Sequence, residues 1–102
     1  VGLHSGGEFG ISQAAALHLL ASVPNLSAAA DSHYHHLTDD IIVGGKMQFE
    51  DGGLRVPKGP GLGVELDRDK LAKYSELARK QEMGSWIEDP TRPGVVTVQP
   101  KW

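Results

Sequence analysis

The chain has 102 residues, a net charge near −3 and no cysteine. This composition excludes a disulfide scaffold and thiolate metal sites, and it lacks the basic stripe of a nucleic-acid module. No apolar run approaches the ~20 residues that a membrane span needs, and nothing at the start resembles a signal peptide.

Val1 to His4 reads as a short buried strand that runs into the glycine-rich loop Ser5-Gly6-Gly7-Glu8-Phe9-Gly10. Ser12 is the expected cap of a helix over Gln13 to Ser22. Alanine and leucine lie nearly all round it, so the helix is expected to be packed on most sides. Pro24 ends it. Leu26 to Ala30 reads as a second strand ending in Asp31-Ser32-His33. Strand, helix and strand make a β-α-β unit with parallel strands. Two parallel strands cannot cover both their faces, so the unit demands a larger sheet and the chain reads as a segment of one. Residues 31–45 form a polar loop, and residues 46–50 and 54–56 flank a hairpin signal at Asp51-Gly52-Gly53. A Pro/Gly connector leads to Asp67, the expected cap of a helix from Arg68 to about Met83 with Leu71, Tyr74, Leu77 and Ala78 on one stripe. Gly84 is the expected stop, Val95 to Val98 a strand candidate, and Trp86 and Trp102 apolar anchors of the tail.

His4 is the leading candidate for chemistry. An imidazole can take or give a proton near neutral pH, and α/β barrels keep their chemistry at the carboxyl ends of strands. Asp31 ends the next strand, where a carboxylate can orient an imidazole, accept a substrate hydroxyl, hold a metal or simply make an Asx turn. His33 lies beside it and suits a substrate hydrogen bond. His33, His35 and His36 invite a zinc reading, but only the first two share a strand face, and zinc needs three or four convergent ligands. No metal ligands are therefore assigned. His18 reads as a structural mid-helix residue, Glu8 as a solvated loop carboxylate, and Asp39-Asp40 as a solvated turn.

Three stretches together resemble the C-terminal part of the enolase superfamily, of the mandelate racemase and muconate lactonizing type. They are Val1-Gly2-Leu3-His4-Ser5, Asp31-Ser32-His33, and Arg55-Val56-Pro57 continuing through Gly59-Pro60-Gly61-Leu62-Gly63-Val64-Glu65-Leu66-Asp67. The resemblance is strongest to acid-sugar dehydratases of the glucarate dehydratase type. It implies a modified (β/α)7β barrel of TIM type with a capping domain. Residues 1–45 would be its last strand, helix and strand with the active-site loop. Residues 46–102 would form a hairpin, connector, helix and tail that pack back on the capping domain. It further implies a hydro-lyase that needs Mg²⁺, held by acidic residues on upstream strands; a lysine base and the aspartate that pairs with His4, at the end of the seventh barrel strand, would also lie upstream. On this resemblance His4 is the catalytic base, Asp31, His33 and Ser5 contact the substrate, and the 102 residues alone are inert. Gly6 stands where those dehydratases carry an Asn, which removes a side-chain amide beside the substrate and leaves proton abstraction intact. The His35-His36 pair departs from the better-known members at the distal end of the pocket. The implied partners are an acid sugar, the N-terminal part of the same enzyme and further copies of it, in the cytoplasm. A racemase or epimerase of the same superfamily is the first alternative. A carbohydrate-binding or structural module is the second.

Overall fold

The computed structural model describes residues 2–80 and, as backbone strands, residues 86–88 and 96–98. It divides into two compact units, Val1–Ala72 and Lys73–Trp102.

In the first unit the β-α-β topology is present, with shorter strands than the sequence pattern suggests. Strand β1 is His4–Ser5 and β2 is Asp31–Ser32. They pair in parallel, His4 opposite Asp31 and Ser5 opposite Ser32. The Asp31 N–H also donates to the Leu3 carbonyl at 3.2 Å. Residues 26–30, expected to be strand, are irregular. The reason is pairing. A parallel ladder needs a neighbour for every hydrogen bond, the alanines of 28–30 have low strand propensity, and among the described residues each of these two strands has only the other as partner.

Helix α1 spans Gly10–Ser22. It begins before Ser12, because Phe9 takes the N-cap position with extended backbone and the Gln13 N–H closes the first turn on the Phe9 carbonyl at 3.0 Å. Phe9 has no cap hydrogen bond from its side chain, and the missing acceptor comes from Asp40, whose Oδ1 takes the Gly10 N–H at 2.8 Å. Of the helix only Gly10, Gln13 and Ala14 are buried, and Leu19 is 54% exposed. The packing on most sides expected of α1 is therefore not seen among the described residues.

After β2 the chain makes a single 3₁₀ turn, His33–His36, so His33 and His35 do not share a strand face. Ser32 caps this turn by accepting the Tyr34 N–H at 3.1 Å. Further on, the Asp51-Gly52 pair makes a tight reversal, both residues at positive φ (51° and 77°), as a two-residue hairpin turn of the primed type requires. Glu50 and Gly53 exchange both backbone hydrogen bonds, at 2.8 and 2.9 Å. The expected hairpin strands beyond that bridge are absent; the ladder stops at one pair. The connector returns instead to residues 41–43, where Val43 N–H meets the Glu65 carbonyl at 2.9 Å and Asp67 N–H the Ile41 carbonyl at 2.8 Å. Gly63 is needed there. Its φ is +74°, and a Cβ would lie 2.6 Å from Pro57 Cβ.

Helix α2 is Arg68–Lys80. Asp67 caps it as expected, its Oδ1 accepting the N–H groups of Asp69 at 3.1 Å and Lys70 at 3.0 Å. Asp67→Ala should therefore cost about 1 kcal/mol, read as a lower thermal midpoint of the full-length protein. The stripe anticipated on α2 carries no buried residue; Leu71 and Leu77 remain 41% and 45% exposed. In the second unit, the candidate strand at 95–98 appears as β4, Val96–Val98. It pairs antiparallel with β3, Trp86–Glu88, which was not anticipated as a strand. Met83, Gly84 and Trp102 lie outside the described residues.

The core of the described residues is small: Ala14, Tyr34 and Ile42, together with buried Gln13 and Asp40.

Candidate active site

Parallel pairing puts the fourth and thirty-first residues side by side, and their side chains meet. His4 Nδ1 lies 2.7 Å from Asp31 Oδ1. A carboxylate only accepts, so Nδ1 carries the hydrogen and, in the neutral ring, Nε2 is left as a bare base. Both side chains are well exposed, at 61% and 72%. This is the arrangement that makes an imidazole a positioned proton acceptor: one nitrogen held and electrostatically supported by a carboxylate, the other free.

His33 joins this pair. Its ring meets that of His4 edge to face at a centroid distance of 5.8 Å. The row continues outward through His36 at 5.7 Å and then His35 at 3.9 Å. His35 Nδ1 donates to the Ser32 carbonyl at 3.1 Å. Among the described residues no group of three or more His, Asp or Glu side chains is arranged to hold a metal ion, so the zinc reading has no support.

Ser5 is placed differently. Successive residues of a strand face opposite ways, and Ser5 lines a cavity of about 240 Å³ with Leu3, Gln13, Leu17, Ser32 and Leu54 on the α1 side. The structure does not bring its hydroxyl to His4. Ser5 Oγ and Glu8 Oε2 are buried atoms without a hydrogen-bond partner among the described residues. Glu8 is half-buried rather than a solvated loop carboxylate. Its Oε1 accepts the Gly6 N–H at 3.2 Å and ties the glycine loop. Burial pushes its pKa up, but the neighbouring Ser5 hydroxyl, although outside hydrogen-bonding geometry, the N–H groups of Glu8 and Gly6 and the nearby His4 outweigh that, and the net shift is downward. His18 is structural, as read. Its Nε2 bonds the Leu62 carbonyl at 3.1 Å.

The clearest departure from the sequence reading is Asp40. It is not part of a solvated turn but has no exposed surface. Its Oδ2 accepts the Tyr34 hydroxyl, and its Oδ1 accepts the N–H groups of Gly10 at 2.8 Å and Ile41 at 2.6 Å. Burial, with the hydrogen bond to Asp40 and the Asp40 charge, drives the Tyr34 pKa well upward against the Met47 N–H, so this phenol stays a donor. Asp39 is half-buried and ion-paired with Lys70 at 2.6 Å. The signal available in sequence was the apolar pair Ile41-Ile42 directly after the acids, which draws a neighbouring side chain inward.

Residues 1–70 match the family model described as "Enolase C-terminal domain-like". Over 72 residues the chain is 44% identical to a "Probable glucarate dehydratase" of Streptomyces coelicolor, covering 71% of this chain and 16% of that protein. It is also similar to a solved isomerase from Streptomyces coelicolor A3(2), at 51% identity and a TM-score of 0.71, covering 78% of this chain and 21% of the other. An enolase from Thermobispora bispora, solved with magnesium and formate, superposes with a TM-score of 0.72 at 44% identity, over 78% of this chain and 19% of the other. The chain thus spans about a fifth or less of the length of these relatives. Mg²⁺ is the expected cofactor of such enzymes. The described residues do not fit it by themselves, because Asp31 is engaged by His4 and no acidic set converges. By the match over its first 70 residues and the supporting likenesses in sequence and fold, the chain belongs to the enolase C-terminal domain-like family, whose C-terminal domain is of TIM-barrel type.

Proposed function

We propose that this segment carries the proton-transfer residues of a Mg²⁺-dependent acid-sugar dehydratase. The observation that carries the reading is the exposed His4–Asp31 pair, in which Nδ1 is held and Nε2 is the remaining basic nitrogen. In the proposed reaction His4 Nε2 takes the proton from the carbon next to the substrate carboxylate. Asp31, which the resemblance reads as a substrate contact rather than as the partner of His4, holds the Nδ1–H in this structure and supports the imidazolium that forms. The same Nε2–H then returns its proton to the departing β-hydroxyl, so that water leaves and the enol left behind becomes a 2-keto-3-deoxy acid. His33, at the edge of the His4 ring, is a hydrogen-bonding group for the substrate chain. Ser5 lines the cavity beside α1 that Asp31 also borders, and a substrate contact of its hydroxyl would be made from there. The charge on the deprotonated intermediate needs electropositive groups. A base and a carboxylate do not supply them, so they belong to parts of the enzyme outside this segment.

Membership of a family of enzymes favours this reading over a carbohydrate-binding module. The likeness to an isomerase keeps one alternative alive, a racemase or epimerase that uses the same His4 and loses no water. Proton NMR of the full-length protein in D₂O separates the two. With a panel of hexonic and hexaric acids, the dehydratase is expected to yield a 2-keto-3-deoxy acid with a new C3 signal that carries one deuteron from the solvent. Exchange at the α-carbon with every hydroxyl retained would instead establish the racemase.

A further inference from the structure

The turn that bears the exposed histidines is built round one inward side chain. Within His33–His36 only Tyr34 is buried. Its hydroxyl donates to Asp40 Oδ2 and accepts the Met47 N–H at 2.9 Å. Lys46 Nζ holds the outer side of the same turn, on the carbonyls of His35 at 2.9 Å and Leu37 at 2.8 Å. The other oxygen of Asp40 accepts the N–H of Gly10, the first residue of α1. One carboxylate therefore links two stretches that lie far apart in sequence. Oδ2 reaches the residue next to His33, and Oδ1 reaches the end of the loop that begins at His4. The junction is tight: a Cβ on Gly10 would lie 2.5 Å from Asp40 Oδ2 and 2.7 Å from Ile42 Cδ1. Neither Tyr34 nor Asp40 has surface to offer a ligand.

We propose that the Tyr34–Asp40 pair is a positioning element that sets the His33 turn against the His4–Asp31 pair. This rests on the function proposed above. Tyr34 and Asp40 act through His33 and touch no substrate. The β1–β2 pairing holds His4 and Asp31 independently of them, so loosening the clamp shifts His33 and spares the base.

Tyr34→Phe keeps the buried ring and removes only the hydroxyl. In the full-length protein, with the acid sugar that the wild type turns over fastest, it is expected to raise KM about tenfold and to change kcat by less than about twofold. A merely structural weakening would reduce the active fraction, lowering kcat at constant KM. His33→Asn should raise KM by itself, and adding Tyr34→Phe to it should raise KM little further, as residues acting through one another are non-additive. Additive KM effects, or a kcat loss at constant KM, would overturn the proposal. If no acid in the panel is turned over, the same cycle is read calorimetrically as the Kd of the tightest binder. A tenfold, non-additive Kd effect then upholds the clamp while the dehydratase reading falls. Failure of every acid to bind overturns both.

Discussion

Replacing His4 with Asn in the full-length protein is expected to lower turnover by about 10²–10⁴-fold, the usual worth of a positioned proton-transfer group, while substrate still binds. Asparagine can keep a hydrogen bond to Asp31 through its amide, so the strand end stays in place. It has no basic nitrogen to receive the proton that Nε2 of the imidazole would take. The check is steady-state kinetics beside calorimetric binding of the same acid sugar. Activity within tenfold of wild type would remove His4 from the centre of the mechanism. Loss of binding in parallel with turnover would point to a folding defect, which thermal unfolding of the variant would expose.

The second large effect concerns stability. Asp40→Ala is expected to destabilise the full-length protein by about 3 kcal/mol or more. It leaves the buried Tyr34 hydroxyl and Gly10 N–H, and the part-buried Ile41 N–H, without an acceptor. Each buried polar group left unmade costs about 1–3 kcal/mol, and the truncation adds a cavity. The α1 N-terminus loses its negative partner as well. Asp40→Asn should cost less, since one side-chain oxygen can still accept the Gly10 N–H. Urea unfolding of both variants tests this, and a change below about 0.5 kcal/mol for Asp40→Ala, the scale of an ordinary surface substitution, would show that the clamp contributes little.

The two effects differ in how they could be foreseen. His4 and Asp31 were legible because local chemistry announces them: an apolar stretch, a polar tip, a glycine loop, a helix, and the pattern again 27 residues later. Their pairing follows from the topology, since a parallel β-α-β unit lays two strand ends side by side. The resemblance carried by the Pro-Gly-Leu-Gly-Val-Glu segment pointed to the same family that the comparisons identify. Asp40 was barely legible: Ile41-Ile42 after it hinted at burial, but its partners Gly10 and Tyr34 lie 30 and 6 residues away, and nothing local names them.

Sequence alone therefore determined the features set by short-range physics: the Asp67 cap, the Asp51-Gly52 reversal, the Pro24 helix stop and the histidine at a strand end. Tertiary structure decided which backbone donor each distant carboxylate would meet. It began α1 at Gly10 rather than after Ser12, because a remote aspartate could satisfy that N–H. It turned Ser5 toward α1, because strand alternation sends neighbours to opposite faces. It wound His33–His36 into a 3₁₀ turn round a buried tyrosine, because the Tyr34 hydroxyl bonds only where a folded chain brings Asp40 and Met47 together.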